Sequence, residues 1–303
     1  MSHPLAGTTI VSLAINLPGP LAASRLTELG ARVIKVEPPH GDPLKSVAPG
    51  WYAELTQGQE VISLDLKEAT GRTQLEGLLA GAQVLLTSMR PSALARMNLE
   101  GTLRDKGIAL VEIVGHDGAE AEQAGHDLTY QAVHGTILAP AMPLVPVADL
   151  LGSERAVVAT FAALRQRDQG LGYVHERVVL DEAAHAAAAA VRHGLTAPGS
   201  PLGGAIAQYG LYASSDGYVA VAAIEPHFAA RLAAQVGSTR EDLTRAFAAQ
   251  TTSHWTALGI EYDIPLVAVR EPHRAVAEPV FAHQHSANTA NTVNTAGTTS
   301  LES

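Results

Sequence analysis

Short apolar runs alternate with helix-like segments through the first third of the 303-residue chain, and this alternation restricts the fold more than any other feature. The run at 9–13 (TIVSL) predicts a strand, 21–29 a helix that ends at Gly30, and 32–36 (RVIKV) a second strand. Strands separated by helices favour a parallel sheet covered on both faces. We therefore expect an α/β fold with a doubly wound, mostly parallel, Rossmann-like sheet. The pattern continues with strands at 61–66, 84–86 and 108–114 and a helix around 74–79.

The second half of the chain predicts a smaller α+β domain. Helices are expected at 149–167 and in the alanine-rich segment 181–195, and the Gly- and Pro-rich segment 194–204 predicts a boundary. Beyond this boundary we expect a strand at 218–224, helices at 227–235 and 240–249, and an apolar run at 264–269. The predicted parts are a large domain at 1–198, a small domain at 199–265, and a return segment with a weakly ordered tail at 266–303.

Composition excludes several kinds of chemistry. The chain has no cysteine, which rules out disulfides and thiolate nucleophiles, and its formal charge of −10 argues against nucleic acid as a partner. No apolar run reaches the roughly 20 residues that span a membrane, and residues 1–20 lack the layout of a secretion signal. We therefore expect a cytoplasmic protein without a membrane partner. His283 and His285 have no third ligand in view, so no metal site is predicted.

The turn after the first predicted strand bears on cofactor binding. Residues 16–20 (NLPGP) lack the glycine fingerprint that holds a dinucleotide pyrophosphate. NAD and FAD are therefore not indicated, although the sheet is of the kind that often binds them.

Five segments in the same order resemble the family III CoA-transferase (CaiB/BaiF) superfamily. They are Leu5-Ala6-Gly7, Gly19-Pro20, the stretch 29–38 (LGARVIKVEP) continuing to Gly41-Asp42-Pro43, Asp65-Leu66-Lys67, and Arg90-Pro91 with Leu94, Arg96 and Met97. Three more resemble its α-methylacyl-CoA racemase branch: 125–130 (GHDLTY), Asp149 after 146–148 (PVA), and 216–228 (DGYVAVAAIEPHF). The resemblance runs from Leu5 to about Pro279 and implies the family III CoA-transferase fold.

The resemblance implies an acid–base site made of His126, Asp149 and Glu225. A hydrogen next to a thioester carbonyl is weakly acidic, so inverting its carbon needs a base on one face and an acid on the other. His126 and Asp149 would take these roles, and Glu225 would hold the His126 imidazole in the correct tautomer. The expected function is a racemase or epimerase that acts on a 2-methylacyl-CoA, or a related acyl thioester, through an enolate.

Each of these residues also has an ordinary structural explanation. Gly-His-Asp occurs twice, at 115–117 and 125–127, and only the second copy continues into the racemase motif. Asp149 alone would be expected to cap the following helix, and Glu225 alone to lie on the surface at a strand end. Two rival functions therefore stay open. One is a family III CoA-transferase with Asp149 as nucleophile, and the other is a non-catalytic family member that serves as a binding module.

The resemblance also implies how the substrate is held. Arg90 and Arg96 are candidates for the CoA phosphates because guanidinium groups pair well with phosphate, and Lys35, Pro38 and Met97 are further expected contacts. No tightly bound cofactor is expected, since coenzyme A enters as part of the thioester substrate. The family also implies an interlocked homodimer. Three segments depart from the family: 57–61 (QGQEV) has an acidic residue where basic ones are usual, 150–155 (LLGSER) replaces a run of glycines, and the acidic 118–122 (GAEAE) replaces a glycine-rich segment. Together they leave open an unusual acyl-CoA or a different carrier.

Overall fold

A parallel sheet of six strands lies at the centre of the fold, as the alternation in the sequence predicts. The computed structural model describes residues 3–272. The strands of this sheet are β1 (Thr9–Ser12), β2 (Arg32–Glu37), β3 (Glu60–Ser63), β4 (Val84–Thr87), β5 (Ala109–Val114) and β6 (His175–Val179). Their order is β3-β2-β1-β4-β5-β6, with every neighbouring pair parallel. This is the doubly wound order, whose direction reverses between β1 and β4.

Helices cover both faces of this sheet. The helices of the described chain are α1 (Pro18–Glu28), α2 (Pro43–Val47), α3 (Pro49–Leu55), α4 (Ala69–Leu79), α5 (Pro91–Arg96), α6 (Glu100–Lys106), α7 (Asp127–Val133), α8 (Val147–Gln166), α9 (Leu180–Ala187), α10 (Ala189–Arg192), α11 (Pro226–Gln235), α12 (Arg240–Ala248) and α13 (Thr252–Glu261). Leu26 of α1 and Ala156 of α8 belong to the core on one face, and Leu75 of α4 and Leu103 of α6 to the core on the other. Burial on both faces explains the nearly continuous apolar strands.

Two helices differ from the sequence-based expectation. Helix α1 begins at Pro18 rather than at residue 21, because the fixed φ of proline suits the first turn of a helix. The alanine-rich segment forms α9 and α10 rather than one helix. The break lies at Ala188, which is fully buried, so packing there overrides the helix propensity of alanine.

Strand β6 was not predicted, because its sequence HERVV begins with charged residues. Two of them, His175 and Arg177, pair with a buried carboxylate on the neighbouring strand β5. Glu112 accepts hydrogen bonds from Arg177 Nε at 2.8 Å and from the His175 ring at 3.0 Å. Burial opposes ionisation of Glu112, but these two partners outweigh it and lower its pKa.

A separate antiparallel sheet is formed by β7 (Tyr209–Ala213), β8 (Tyr218–Ala222) and β9 (Leu266–Ala268), in the order β7-β8-β9. Tyr212 and Val219 point toward α11–α13 and form a core with Phe247 and Trp255. The opposite face is open, with Leu211 69% and Val267 56% exposed. The second sheet is therefore apolar on both faces but covered on one.

The chain divides into the units Met1–Arg270 and Glu271–Ser303, and every element above belongs to the first. The predicted domain limits at 198/199 and 265/266 stay a prediction. The tail predicted to be weakly ordered, with His283 and His285, lies outside the described residues. None of the described helices is both long and apolar enough to cross a membrane.

Candidate active site

A cleft of about 260 Å³ opens at the carboxyl ends of β1, β4, β5 and β6. Ile15 and Asn16 line it after β1, Ser88 after β4, Gly115 after β5 and Leu180 after β6. Strand order reverses between β1 and β4, and doubly wound sheets bind ligands in the crevice at such a point. The position of the cleft therefore follows from the topology of the sheet.

The loops after β1 and β4 are held together beside this cleft. Ser88 Oγ accepts a hydrogen bond from the Ile15 N–H at 3.2 Å and donates one to the Ile15 carbonyl at 3.3 Å. The Asn16 N–H donates to Asp42 Oδ1 at 3.0 Å. These bonds fix one wall of the cleft.

Lys35 supports the same wall from inside the protein. Its side chain is 1% exposed, and its ammonium group donates to Asp42 Oδ2 at 2.7 Å and to the Ala14 carbonyl at 2.9 Å. Glu37 Oε1 lies 3.7 Å away and accepts a hydrogen bond from the Tyr52 hydroxyl. This corrects the expected role of Lys35: its ammonium group is buried and already bonded, so it is not free to contact a CoA phosphate.

His126 also lines the cleft, at the start of α7. It is the N-cap residue, and its N–H donates to Thr129 Oγ1 at 3.1 Å while its carbonyl accepts from the Thr129 N–H at 2.8 Å. This local pairing fixes the backbone of His126, but the residue remains exposed. His126 lines the cleft together with Asp149, so the structure brings these two predicted residues into one site.

Asp149 lies in the first turn of α8 and is half-buried. Burial, and then the nearby charge of Asp127, raise the pKa of Asp149 to about 7. A carboxyl with a pKa near neutrality can both accept and donate a proton under ordinary conditions, which is what an acid–base catalyst requires.

Asp127 joins the helix that begins after His126 to the helix that carries Asp149. Its Oδ1 accepts from the Ala148 N–H at 2.7 Å and from the Asp149 N–H at 3.3 Å. Its Oδ2 accepts from Gln131 Nε2 at 2.6 Å. Asp127, rather than Asp149, thus caps α8. Sequence reasoning assigned no role to Asp127, although it stands inside the motif 125–130.

The Gly-His-Asp copy at 115–117 has surroundings that differ from those of the copy at 125–127. The His116 ring packs edge-on against the Tyr130 ring, with centroids 5.3 Å apart. Asp117 binds the Arg177 guanidinium at 2.6 Å on the surface. His126, in contrast, lines the cleft, so the two copies of the tripeptide have different surroundings.

Glu225 is not among the residues that line the cleft. It is exposed and precedes Pro226 at the start of α11, beyond the antiparallel sheet. Its predicted support of His126 therefore has no counterpart within the described part of one chain.

The predicted phosphate contacts lie at one rim of the cleft. Arg90 lines the cleft, and Arg96 is exposed in the last turn of α5. Glu122 shares this rim: its carboxylate accepts hydrogen bonds from the Ser92 N–H at 2.7 Å and from Ser92 Oγ at 2.8 Å. These bonds, and then the charges of Arg90 and Arg96, lower the pKa of Glu122. An internal anion therefore already lies beside the two arginines.

The other two predicted substrate contacts, Met97 and Pro38, lie outside the cleft. Met97 packs against the core on the α4 and α6 side of the sheet, and Pro38 is partly exposed directly after β2. Neither residue lines the cleft as it stands. No group of three or more His, Asp or Glu within residues 3–272 is placed to hold a metal ion.

The fold and site define an α/β protein whose imidazole and carboxyl group share a cleft at the switch point of a doubly wound sheet. The chain belongs to CoA-transferase family III, whose family model matches residues 5–301. The family resemblance noted in the sequence is confirmed.

The curated relatives include both racemases and CoA-transferases. The chain is 29% identical over 263 residues to the alpha-methylacyl-CoA racemase of Mus musculus, covering 79% of this chain and 66% of the relative. It is 34% identical over 140 residues to the cinnamoyl-CoA:phenyllactate CoA-transferase of Clostridium sporogenes, covering 41% of this chain and 34% of the relative. The chain thus spans from a third to just under two thirds of these curated relatives.

A solved structure matches the fold. The chain superposes on a CAIB/BAIF family protein from Brucella suis with a TM-score of 0.76 and 23% identity, covering 89% of this chain and 85% of that chain. The expected doubly wound family III fold is therefore confirmed.

Proposed function

We propose that this chain is an enzyme of acyl-CoA chemistry, and that it inverts the α-carbon of a 2-methylacyl-CoA or a related thioester. The observation that carries this proposal is the shared cleft of His126 and Asp149, with burial holding the pKa of Asp149 at about 7. An imidazole and a carboxyl group that line one cleft supply the two acid–base groups that a two-base proton transfer requires.

The proposed step moves one proton in and one proton out. The neutral His126 imidazole removes the α-proton, and the electrons of the C–H bond move to the carbonyl oxygen to give an enolate. The protonated Asp149 carboxyl then donates its proton to the opposite face of the α-carbon as the carbonyl re-forms. In the reverse direction Asp149 is the base and His126 the acid, so each enantiomer uses the same two residues.

We propose that Glu225 acts on the His126 imidazole of a second copy of the chain. His126 is exposed in the single chain, and Glu225 is exposed on another part of it. Within residues 3–272, large apolar side chains are exposed on the antiparallel sheet, at Leu211 and Val267, and in the segment around Leu138, Met142 and Leu144. We propose an interlocked homodimer that covers these surfaces and brings Glu225 to the partner's His126.

The remaining substrate contacts are proposals of the same kind. Arg90 and Arg96 would bind the CoA phosphates at the rim of the cleft, with Pro38 and Met97 as further contacts. Coenzyme A would enter only as part of the thioester.

Deuterium exchange tests the proposed activity. The full chain is incubated in D₂O with each enantiomer of a 2-methylacyl-CoA and no acceptor acid, and α-exchange is followed by mass spectrometry. We expect exchange with both enantiomers and approach to a racemic mixture. Exchange absent from both, at protein concentrations where the thioester binds, would contradict the proposal.

A CoA-transferase is the second candidate, because the relatives include transferases. In that reaction Asp149 attacks the thioester carbonyl, the C–S bond breaks, and a mixed anhydride forms with release of CoA. Adding a second carboxylic acid to the same assay separates the candidates. Transfer of CoA to that acid, with release of the first acyl group as its free acid and without α-exchange, would favour the transferase, and hydroxylamine would then trap the anhydride on Asp149.

A further inference from the structure

Tyr130 is a buried side chain whose hydroxyl group has no assigned role. The residue is 2% exposed and lines the cleft together with His126 and Asp149. None of the side-chain hydrogen bonds of residues 3–272 involves its hydroxyl, and the oxygen is not one of the fully buried polar atoms of that region that lack a partner. Buried hydroxyl groups are normally bonded, so an unpaired one at a cleft wall points to a ligand.

Two cleft glycines fix the position of this hydroxyl. A Cβ atom at Gly115 would lie 2.4 Å from the Tyr130 oxygen, and one at Gly125 would lie 2.5 Å from it. Only glycine leaves room at these two positions, one after β5 and one directly before His126. The His116 ring packs edge-on against the phenol ring from another side. The phenol is therefore held rigidly in a place where its hydroxyl group meets the cleft rather than the core.

We propose that Tyr130 is a catalytic residue that donates a hydrogen bond to the carbonyl oxygen of the substrate as that oxygen becomes an enolate. This inference rests on the proposed function and names one further group in the same site. The proton stays on the phenol throughout, and no bond of Tyr130 forms or breaks. A fixed donor aimed at developing negative charge stabilises the transition state more than the substrate.

The acid–base behaviour of the phenol agrees with this role. Burial, followed by the charges of Asp149 and Asp181, raises the pKa of Tyr130 to about 12. The phenol therefore stays protonated over the pH range in which Asp149 titrates, and it serves as a donor rather than as a third acid–base group.

The test replaces the hydroxyl group alone. Tyr130→Phe keeps the ring between the glycines and removes the donor, so kcat for α-exchange should fall about 100-fold, while KM changes little. Tyr173→Phe is the matched control, because Tyr173 lies on the α6 side of the sheet and its ring packs against the Arg104 guanidinium. An exchange rate for Y130F equal to that of the wild type and of Y173F would overturn the inference.

A second variant keeps the inference testable if Y130F does not fold. Gly115→Ala leaves the phenol in place chemically but pushes its hydroxyl group away, and it should lower kcat in the same way. Binding of a thioether analogue, which has no carbonyl oxygen, should be unchanged in both variants, whereas weakened thioether binding in the folded variants would indicate a structural role and overturn the inference. If Y130F exchanges normally while the wild type is active, the inference fails and the proposed function stands. If the wild type shows no exchange, both fail.

Discussion

The part of the cleft wall that carries Asp149 and the part that carries His126 differ in how completely one chain supports them. Asp149 is half-buried in the first turn of α8, and the Asp127 carboxylate caps that helix. His126 is exposed, and its contacts with Thr129 fix only its backbone. Burial accordingly raises the pKa of Asp149, whereas no described side chain orients the imidazole. The carboxyl side of the site is therefore supported within one chain, and in the proposed homodimer the partner would support the imidazole side.

The largest expected effect comes from removing either proton carrier. Asp149→Asn keeps the shape of the carboxyl group but cannot carry the proton, and His126→Ala removes the imidazole. Each should lower the rate of racemisation by about 1,000-fold, the scale of a well-placed acid or base. The assay follows the enantiomers of the thioester by chiral chromatography at saturating concentration, because the base that remains in each variant can still exchange the α-proton of one enantiomer.

His193→Ala is the control for these two variants, because His193 is an exposed residue at the end of α10. It should exchange at the wild-type rate. If D149N retained most of the activity while H126A lost it, Asp149 would not be the second acid–base group, and the comparison between the two walls would lose its meaning.

Mixing two inactive variants tests whether the imidazole side is completed by a second chain. H126A and Glu225→Gln proteins are unfolded and refolded together, or co-expressed, in equal amounts. If Glu225 acts on the partner's His126, each heterodimer holds one intact site, and the mixture should regain about a quarter of wild-type exchange. Each variant refolded alone should stay near its own low rate.

The outcome of this mixing experiment separates two arrangements. Should the mixture show only the average of the two variants while sedimentation confirms heterodimers, Glu225 and His126 would act within one chain or not together at all. A monomeric protein that exchanges at full rate would also contradict the proposed second surface.

Much of the fold followed from the sequence, because apolar runs such as 9–13 and 32–36 must be buried on both faces. Strand β6 was missed because its polar residues His175 and Arg177 are accommodated by Glu112 of β5, which lies 63 to 65 residues away in the chain. Helix α13 was missed as well, since Trp255 and Gly259 are its buried residues and leave only a weak apolar stripe. Sequence patterns predict which nearby residues are buried, but they do not predict which charged residues pair across long distances in the chain.

The residues of the site that stand in sequence motifs could be predicted, whereas those whose role depends on distant partners could not. His126 and Asp149 stand in motifs, and the structure brings both to one cleft. The roles of Asp127 and Lys35 depend on which partners lie opposite them in space. Lys35 is buried against Asp42 and the Ala14 carbonyl, which the family resemblance could not reveal.

Asp127→Asn should have a smaller, pH-dependent effect on the carboxyl wall. The Asp127 charge is the second cause of the raised pKa of Asp149, after burial, so its removal should lower that pKa. Activity requires the His126–Asp149 pair to hold one proton, so the pH profile of kcat/KM should move to lower pH. Loss of an acceptor for Gln131 should also loosen the link between α7 and α8, with a fall in kcat of about tenfold.

Asp117→Asn is the matched control for D127N, because Asp117 occupies the same place in the other Gly-His-Asp copy and pairs with Arg177 on the surface. Its pH profile should match that of the wild type. A D127N profile that keeps its position while kcat falls would show that Asp127 acts only through helix geometry.

The smallest expected effect lies at the rim, where Glu122 lies near the two arginines that we propose to bind the CoA phosphates. Its carboxylate accepts two hydrogen bonds from Ser92 and lies close enough to Arg90 and Arg96 for their charges to lower its pKa. If CoA phosphates bind these arginines, Glu122→Gln should tighten CoA binding by about two- to threefold at low salt, because the groups are exposed and screened. Titration calorimetry with free CoA at two salt concentrations measures the change.

Glu120→Gln, in the same acidic segment but without those bonds, should have a smaller effect. If the two variants had equal effects, CoA affinity would depend only on the overall charge of the segment. If E122Q bound CoA more weakly than the wild type, Glu122 would hold the residues of the rim in place for the ligand.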